Sequence, residues 1–192
     1  SGVTGKIGAK IIFVNNIYFP DIFTNGLKKA EVEEYAIFSS DMQVGSKFFY
    51  EKNFLKFIDW LNGNYGNKEQ KEIAKKVKYF FIAGDLVEGV GVYPGQEDDL
   101  LIIDIYQQYD KFAEYINKIR KDVKIIISPG NHDAMRLAEP QPILDKKFSK
   151  KLYEMENIYF TTNPALVNIA STKDFLGFNV LIYHGFSFPY IA

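Results

Sequence analysis

The chain has 192 residues, 47% apolar, 16% aromatic and 24% charged, proportions that give one domain or slightly more a real core and exclude disordered and low-complexity classes. Lysine and arginine total 23 against 24 aspartates and glutamates, a net charge of −1, so the surface as a whole is no basic glove for nucleic acid. There is no cysteine, which excludes disulfides, thiolate metal sites and cysteine nucleophiles; any metal must be held by oxygen or imidazole.

No apolar run approaches the roughly eighteen residues that would span a bilayer. The start, Ser1-Gly2-Val3-Thr4-Gly5, has neither the basic region nor the apolar stretch of a signal peptide, so a soluble, cytoplasmic protein without a membrane partner is expected. Residues 9–14 and 17–20 read as short strands separated by Asn15-Asn16. They have nothing large before them to pack on, and residues 1–30 are expected to be the exit from a preceding domain plus a linker.

From Tyr35 onward strands alternate with helical periodicity, which points to an α/β domain over 31–192. A strand over 35–40 runs into Asp41. A helix over 51–61 places Phe54, Ile58 and Leu61 on one face and stops at Asn62-Gly63-Asn64. A basic helix over 68–76 leads to a strand over 77–83, apolar almost throughout, as expected where helices cover both faces. That strand ends at Gly84-Asp85. A helix over 101–119 carries Ile105, Tyr109, Phe112, Ile116 and Ile119 on one stripe, and a strand over 123–128 delivers Pro129-Gly130-Asn131-His132-Asp133. A Lys-rich helix over 144–155, short strands near 158–160 and 166–169, and a last strand over 178–183 ending in His184-Gly185 complete the pattern.

Four strands thus hand over to Asp41, Asp85, Asn131-His132 and His184. In an open α/β sheet the carboxyl ends of the strands form the crevice where ligands bind, so residues far apart in sequence can converge there. Divalent ions take carboxylate oxygen, amide oxygen and imidazole nitrogen, and these four positions supply all three. One carboxylate can bridge two ions ~3.5 to 4 Å apart, a pair able to hold both the attacking and the leaving oxygen of a phosphoryl displacement. Each residue alone has a plainer role available: Gly-Asp after a strand makes a turn, Asn131 or Asp133 caps a helix starting near Ala134, and His184 closes a strand end. Their joint placement after four strands is what favours a metal site.

Gly84-Asp85, Gly130-Asn131-His132-Asp133 and a strand-terminal His184-Gly185 resemble the calcineurin-like metallophosphoesterase superfamily. The longer strings over 83–89, 92–97, 129–142 and 163–168 resemble the small subunits of archaeal family D DNA polymerases, through nearly the whole chain. This resemblance implies a metallophosphoesterase-type sandwich of two sheets flanked by helices, here incomplete at the C-terminus, preceded by the exit from an oligonucleotide/oligosaccharide-binding domain. It implies a two-metal, manganese-supported 3′-to-5′ exonuclease that acts on DNA beside a large catalytic polymerase subunit. By motif, Asp41 and Gln43 would bind the first metal, Asp85 would bridge, Asn131 and His184 would bind the second, His132 would be the catalytic histidine, and Asp133 would orient it.

Two departures reduce the implied ligand set. The first motif reads Asp41-Met42-Gln43-Val44-Gly45-Ser46 where the family has histidine at the position of Gln43, and an amide oxygen is the poorer donor for a late first-row ion. The family's final Gly-His-x-His motif has no counterpart before Ala192. None or one metal, rather than the two of a complete domain, is therefore expected on this chain, and a catalytically inactive scaffold, like the eukaryotic polymerase B-subunits, is the alternative to an enzyme. A small-molecule phosphodiesterase would share the ligands but has no need of residues 137–142, which suit an interaction surface. The lysine clusters at 71, 75, 76 and 78 and at 146, 147, 150 and 151 read as solvated helix faces.

Overall fold

The computed structural model describes residues 2–8, 11–18 and 26–188. The chain divides into two compact units, 1–31 and 32–192. In the first, β1 (Gly2–Ile7) and β2 (Ile12–Tyr18) form an antiparallel hairpin. The break expected at Asn15-Asn16 does not occur. Asn16 pairs with Thr4 and Val14 with Gly5, so Asn15 is the surplus residue of an irregularity in the ladder and the strand runs on through it. Gly5 allows this, since a Cβ there would lie 2.0 Å from the carbonyl oxygen of Phe13. Ala9, Lys10, Phe19 and Pro20, which the sequence placed in strands, lie outside the described residues.

The second unit is built on a parallel sheet in the order β3 (Tyr35–Ser39), β4 (Val77–Ala83), β5 (Lys124–Ser128) and β6 (Ile158–Phe160). Its two faces are covered differently. Phe80, Ile82, Ile125 and Ile127 point into the main core with Ile58 and Leu61 of α1 (Glu51–Leu61) and Phe112 and Ile116 of α3 (Ile105–Ile116). Phe81 and Ile126, one residue out of phase, point the other way and meet Ile182. Ile182 belongs to a second sheet, the antiparallel pair β7 (Ala165–Ile169) and β8 (Phe178–Ile182). The apolar run of β4 is therefore buried between helices and a sheet, not between two helical layers, and the architecture is the expected sandwich of two sheets with flanking helices. Both Phe80 and Phe81 are wholly buried, worth about 1.5 to 3 kcal/mol each in transfer free energy.

Helix α2 (Lys68–Lys76) is fixed at its start by a reciprocal cap: the Asn67 side chain accepts from the Gln70 N–H and the Gln70 side chain from the Asn67 N–H, both at 2.9 Å. Two other helices are shorter than their periodicity suggests. The expected 101–119 helix starts only at Ile105, because the N–H groups of Leu101 and Ile102 are taken by the Gly45 carbonyl and Asp104 caps the first turn through Gln107. It ends at Ile116, although Ile119 is still buried. Of the expected 144–155 helix, only α4 (Lys150–Tyr153) forms. Asp145 is the reason: its carboxylate accepts from the Lys147 N–H at 2.8 Å and its carbonyl from the Ser149 hydroxyl, a local turn that competes with the helix. Among the described residues no helix is long and apolar enough to cross a membrane.

Candidate metal centre

Three of the four strand ends belong to the parallel sheet, and the fourth, ahead of His184, belongs to the second sheet. The crevice therefore lies where the two sheets meet, not along the edge of a single open sheet. Beyond β3 and β4 the chains keep pairing as loops: the Asp41 N–H donates to Gly84 O (3.1 Å), Gln43 N–H to Asp85 O (3.0 Å) and Val44 N–H to Leu86 O (3.1 Å). Asp41, Gln43 and Asp85 all have left-handed backbone, with φ of 54°, 48° and 54°. Such angles are uncommon outside glycine and are held here by these cross-bonds. Gly84 and Gly130 keep the crossing tight. A Cβ on Gly84 would lie 2.6 Å from His184 Nδ1, and one on Gly130 would lie 2.1 Å from Asp85 Oδ1.

Asp41, Asp85 and His184 each turn one ligand atom inward, all within 4.8 Å of one another. Nδ1 of His184 donates to the Ala83 carbonyl at 2.7 Å, so Nε2 faces Asn131 Oδ1 at 2.9 Å and Asp85 Oδ1 at 3.4 Å. A neutral ring held this way leaves Nε2 an acceptor facing two side-chain oxygens. A hydrogen or a cation completes the contact: the Asn131 amide turned to donate, a second proton on the ring, or a metal ion. Burial pulls the His184 pKa down, but the hydrogen bond and charge of Asp85 outweigh it and push it up to about 9. Asn131 thus joins the three residues through His184, and the donor set of two carboxylates, an amide oxygen and an imidazole fits a divalent ion.

His184 is braced from behind. Its N–H donates to Asn163 Oδ1 (2.9 Å), the Asn163 amide donates to Gln141 Oε1 (2.8 Å), and the Gln141 amide donates to the Gly130 carbonyl (3.1 Å). Gln141 and Asn163 are both buried. The string ending in Gln141-Pro142, which no metal chemistry requires, therefore has an internal role, tying the His184 strand to the Asn131 loop.

Asp133 plays a different part from the one its motif implies. Its Oδ2 accepts the N–H groups of Gly130 (2.9 Å), Asp85 (3.0 Å) and Leu86 (3.4 Å), while Oδ1 accepts the Tyr109 hydroxyl (2.9 Å). No helix starts at Ala134 for it to cap, and its carboxylate does not orient the His132 ring. Burial pushes its carboxyl up to about 6, against the pull of the N–H donors. The ring of His132 is instead held by Glu88, whose carbonyl lies 2.7 Å from Nδ1 and whose carboxylate oxygen lies 3.9 Å away. The His132 N–H donates to Asp85 Oδ1 at 2.9 Å. With Nδ1 occupied, Nε2 is the nitrogen left to act. Glu88 was missed by the sequence reasoning. Its signal was a carboxylate in an apolar string, Leu86-Val87-Glu88-Gly89, that is buried here with Tyr93 and Gln96 as partners.

Gln43 is half-buried and, with Asp41, lines a hollow of about 500 Å³. Asn131, His132 and Asp133 line another of about 340 Å³. Half of the clustered lysines pair with acids, all on exposed side chains: Lys75 with Glu72, Lys76 with Glu33, Lys78 with Asp122 and Lys151 with Asp110.

The sequence model of the calcineurin-like phosphoesterase family matches residues 36–191, a span that holds Asp41, Gln43, Asp85, Asn131, His132, Asp133 and His184. Over 191 residues the chain is 42% identical to the DNA polymerase II small subunit of Methanothermobacter thermautotrophicus, covering 100% of this chain and 38% of that protein. It is 47% identical over 184 residues to the same-named subunit of Archaeoglobus fulgidus (96% of this chain, 36% of that one) and 48% identical over 187 residues to that of Methanocaldococcus jannaschii (97% and 30%). The chain spans about a third of the length of these curated relatives, and the likeness read from its motifs extends along almost all of it.

Proposed function

The chain belongs to the calcineurin-like phosphoesterase family, and on that premise we propose that it is the phosphoesterase part of an archaeal DNA polymerase small subunit that removes nucleotides from the 3′ end of DNA beside a large catalytic subunit. Residues 1–30 would be the exit from a preceding domain and 31–192 the phosphoesterase domain. The observation that carries this reading is the convergence of Asp41, Asp85, Asn131 and His184 on one point, with the backbone of His132 bonded to Asp85 and Nδ1 of its ring taken by Glu88.

Asp41, Asp85 and Gln43 would hold one divalent ion and Asp85, Asn131 and His184 another, manganese being the expected metal. The ions would supply positive charge where a phosphodiester accumulates negative charge during displacement. The rest falls to the chain. Water attacks the terminal phosphorus as the P–O3′ bond breaks; Nε2 of His132 passes a proton to the leaving oxygen and is reprotonated by the proton that the attacking water gives up, releasing a nucleoside 5′-monophosphate and a strand with a new 3′ hydroxyl. The Glu88 carbonyl keeps Nδ1 protonated, so that it is Nε2 that faces the phosphate.

The test is to follow a 5′-labelled single strand with manganese and, separately, to titrate manganese calorimetrically. Asp85→Asn is expected to lose both degradation and manganese binding; His132→Ala is expected to lose ~10² to 10⁴-fold in rate and to keep metal binding. Rescue of His132→Ala by excess manganese would make that residue a metal support instead. The inactive-scaffold reading is favoured by one observation, the amide at Gln43, and it wins if the unmodified protein degrades no strand at any manganese concentration.

A further inference from the structure

We infer that the 500 Å³ hollow running from Asp41 and Gln43 across the start of α1 is a stacking site for the base of the terminal nucleotide of a single DNA strand. The inference rests on the proposed phosphodiester site and adds to it where the released nucleoside sits. The hollow shares Asp41 and Gln43 with the metal centre, so a phosphate held at that centre brings its own nucleoside to the mouth of the hollow. Among its lining side chains there is no lysine or arginine, and the one carboxylate is Asp41, at the end nearest the centre. Such walls suit an uncharged, flat group and not a second phosphate.

The walls are aromatic. Phe48 and Tyr50 are 71% and 79% exposed, whereas the other rings of the lining are engaged: Phe49, Phe54 and Phe57 pack against the core and Phe38 stacks on the buried Phe81 at 4.8 Å between ring centres. Rings left in water beside a polar centre are what sequence-tolerant binding of single strands uses, because every base has a π-face. Ser39, Ser40 and Asn53 add hydrogen-bonding groups to the lining, able to meet sugar or base edges. Phe48 and Tyr50 sit on the loop directly after the Asp41–Ser46 motif, so the segment that carries the metal ligands also carries the stacking faces.

The experiment uses an oligothymidylate ending in 3′-terminal 2-aminopurine, whose fluorescence is quenched on stacking, and the same strand with an abasic 3′ end. Calcium in place of manganese limits turnover, and manganese titration is run in parallel on every variant. The unmodified protein is expected to quench the probe and to bind it more tightly than the abasic strand. Phe48→Ala combined with Tyr50→Ala is expected to abolish the quenching and lower affinity for the base-bearing strand roughly tenfold, with abasic-strand binding and manganese affinity unchanged. Tyr50→Phe should behave as the unmodified protein. Equal loss on both strands, or manganese binding with quenching unaltered in the double variant, would overturn the stacking site alone. Absence of manganese binding in the unmodified protein would overturn the metal-centre reading on which it rests.

Discussion

The two sides of the candidate centre are held in different ways. On one side Asp85 and Asp133 are 2% and 4% exposed, and their carboxylates receive N–H groups from Gly130, His132, Leu86 and Asp85 itself, while Gln141 and Asn163 brace His184. On the other side Asp41 is exposed and Gln43 half-buried, and what fixes them is backbone: two N–H groups bonded across to Gly84 and Asp85. A buried polar group must be fully satisfied or it is costly, so the first side is determined by many mutually dependent contacts. The second side is set by chain path alone, and what it binds depends on the chemistry of its donors. Substitutions on the buried side should therefore appear first as lost stability, and substitutions on the exposed side as altered metal affinity at nearly constant stability.

The largest effect is expected at Gly130. An alanine Cβ would lie 2.1 Å from Asp85 Oδ1 and 2.4 Å from the Asp85 nitrogen, and neither atom can retreat without breaking bonds to His132 or Asp133. Gly130→Ala should cost ~3 kcal/mol or more, read as a drop in the urea midpoint at unchanged slope. A variant as stable as the parent would mean that the Gly130 loop is free to move away from Asp85, and the contrast between the two sides would fail.

A smaller loss on the same side is expected from Tyr109→Phe. The Tyr109 hydroxyl donates to Asp133 Oδ1 and accepts the Ala134 N–H, both at 2.9 Å, from a ring that is itself buried. Its removal leaves a buried carboxylate oxygen and an N–H each short of a partner, which should cost about 1 to 3 kcal/mol. Because Asp133 keeps its three N–H donors, manganese affinity should change by less than about tenfold, within the range of outer contacts on a metal site. A collapse of manganese binding with no loss of stability would place Tyr109 on the wrong side of the comparison.

Much of this was legible in the sequence, and the parts that were not have physical causes. Strands end in ligand-type residues because a turn after a strand can be read from Gly84-Asp85 or Gly130-Asn131 without knowing what packs behind them. The partition of Phe80 from Phe81 follows from period two, but which layer covers each face depends on β8, about a hundred residues away, and so the second sheet was mistaken for helices where residues alone were read. Asp145 shows how one side chain overrides a helical pattern: Leu144, Phe148, Leu152 and Met155 keep helical spacing, yet a carboxylate bonded to its own neighbour holds most of that stretch in turns. Glu88 and Gln141 were invisible as site residues because their contribution runs through a carbonyl and through an amide relay, which no residue type announces.

Gln43 gives the finest test of the exposed side. Its backbone has φ 48° and its N–H is bonded to Asp85 O at 3.0 Å, so the loop path does not depend on its side chain. Histidine is among the residues that tolerate left-handed backbone best, and the side chain faces an open hollow, not packed core. Gln43→His should therefore leave stability within about 0.5 kcal/mol, as expected for a replacement away from packed atoms. Manganese is another matter. An imidazole nitrogen is a better donor to a first-row ion than an amide oxygen, so the variant should bind manganese more tightly, with a second equivalent titrating at lower concentration than in the parent. Equal manganese affinity in the two proteins would mean that position 43 does not reach the ion, and Asp41 and Asp85 would then be the only donors on that side.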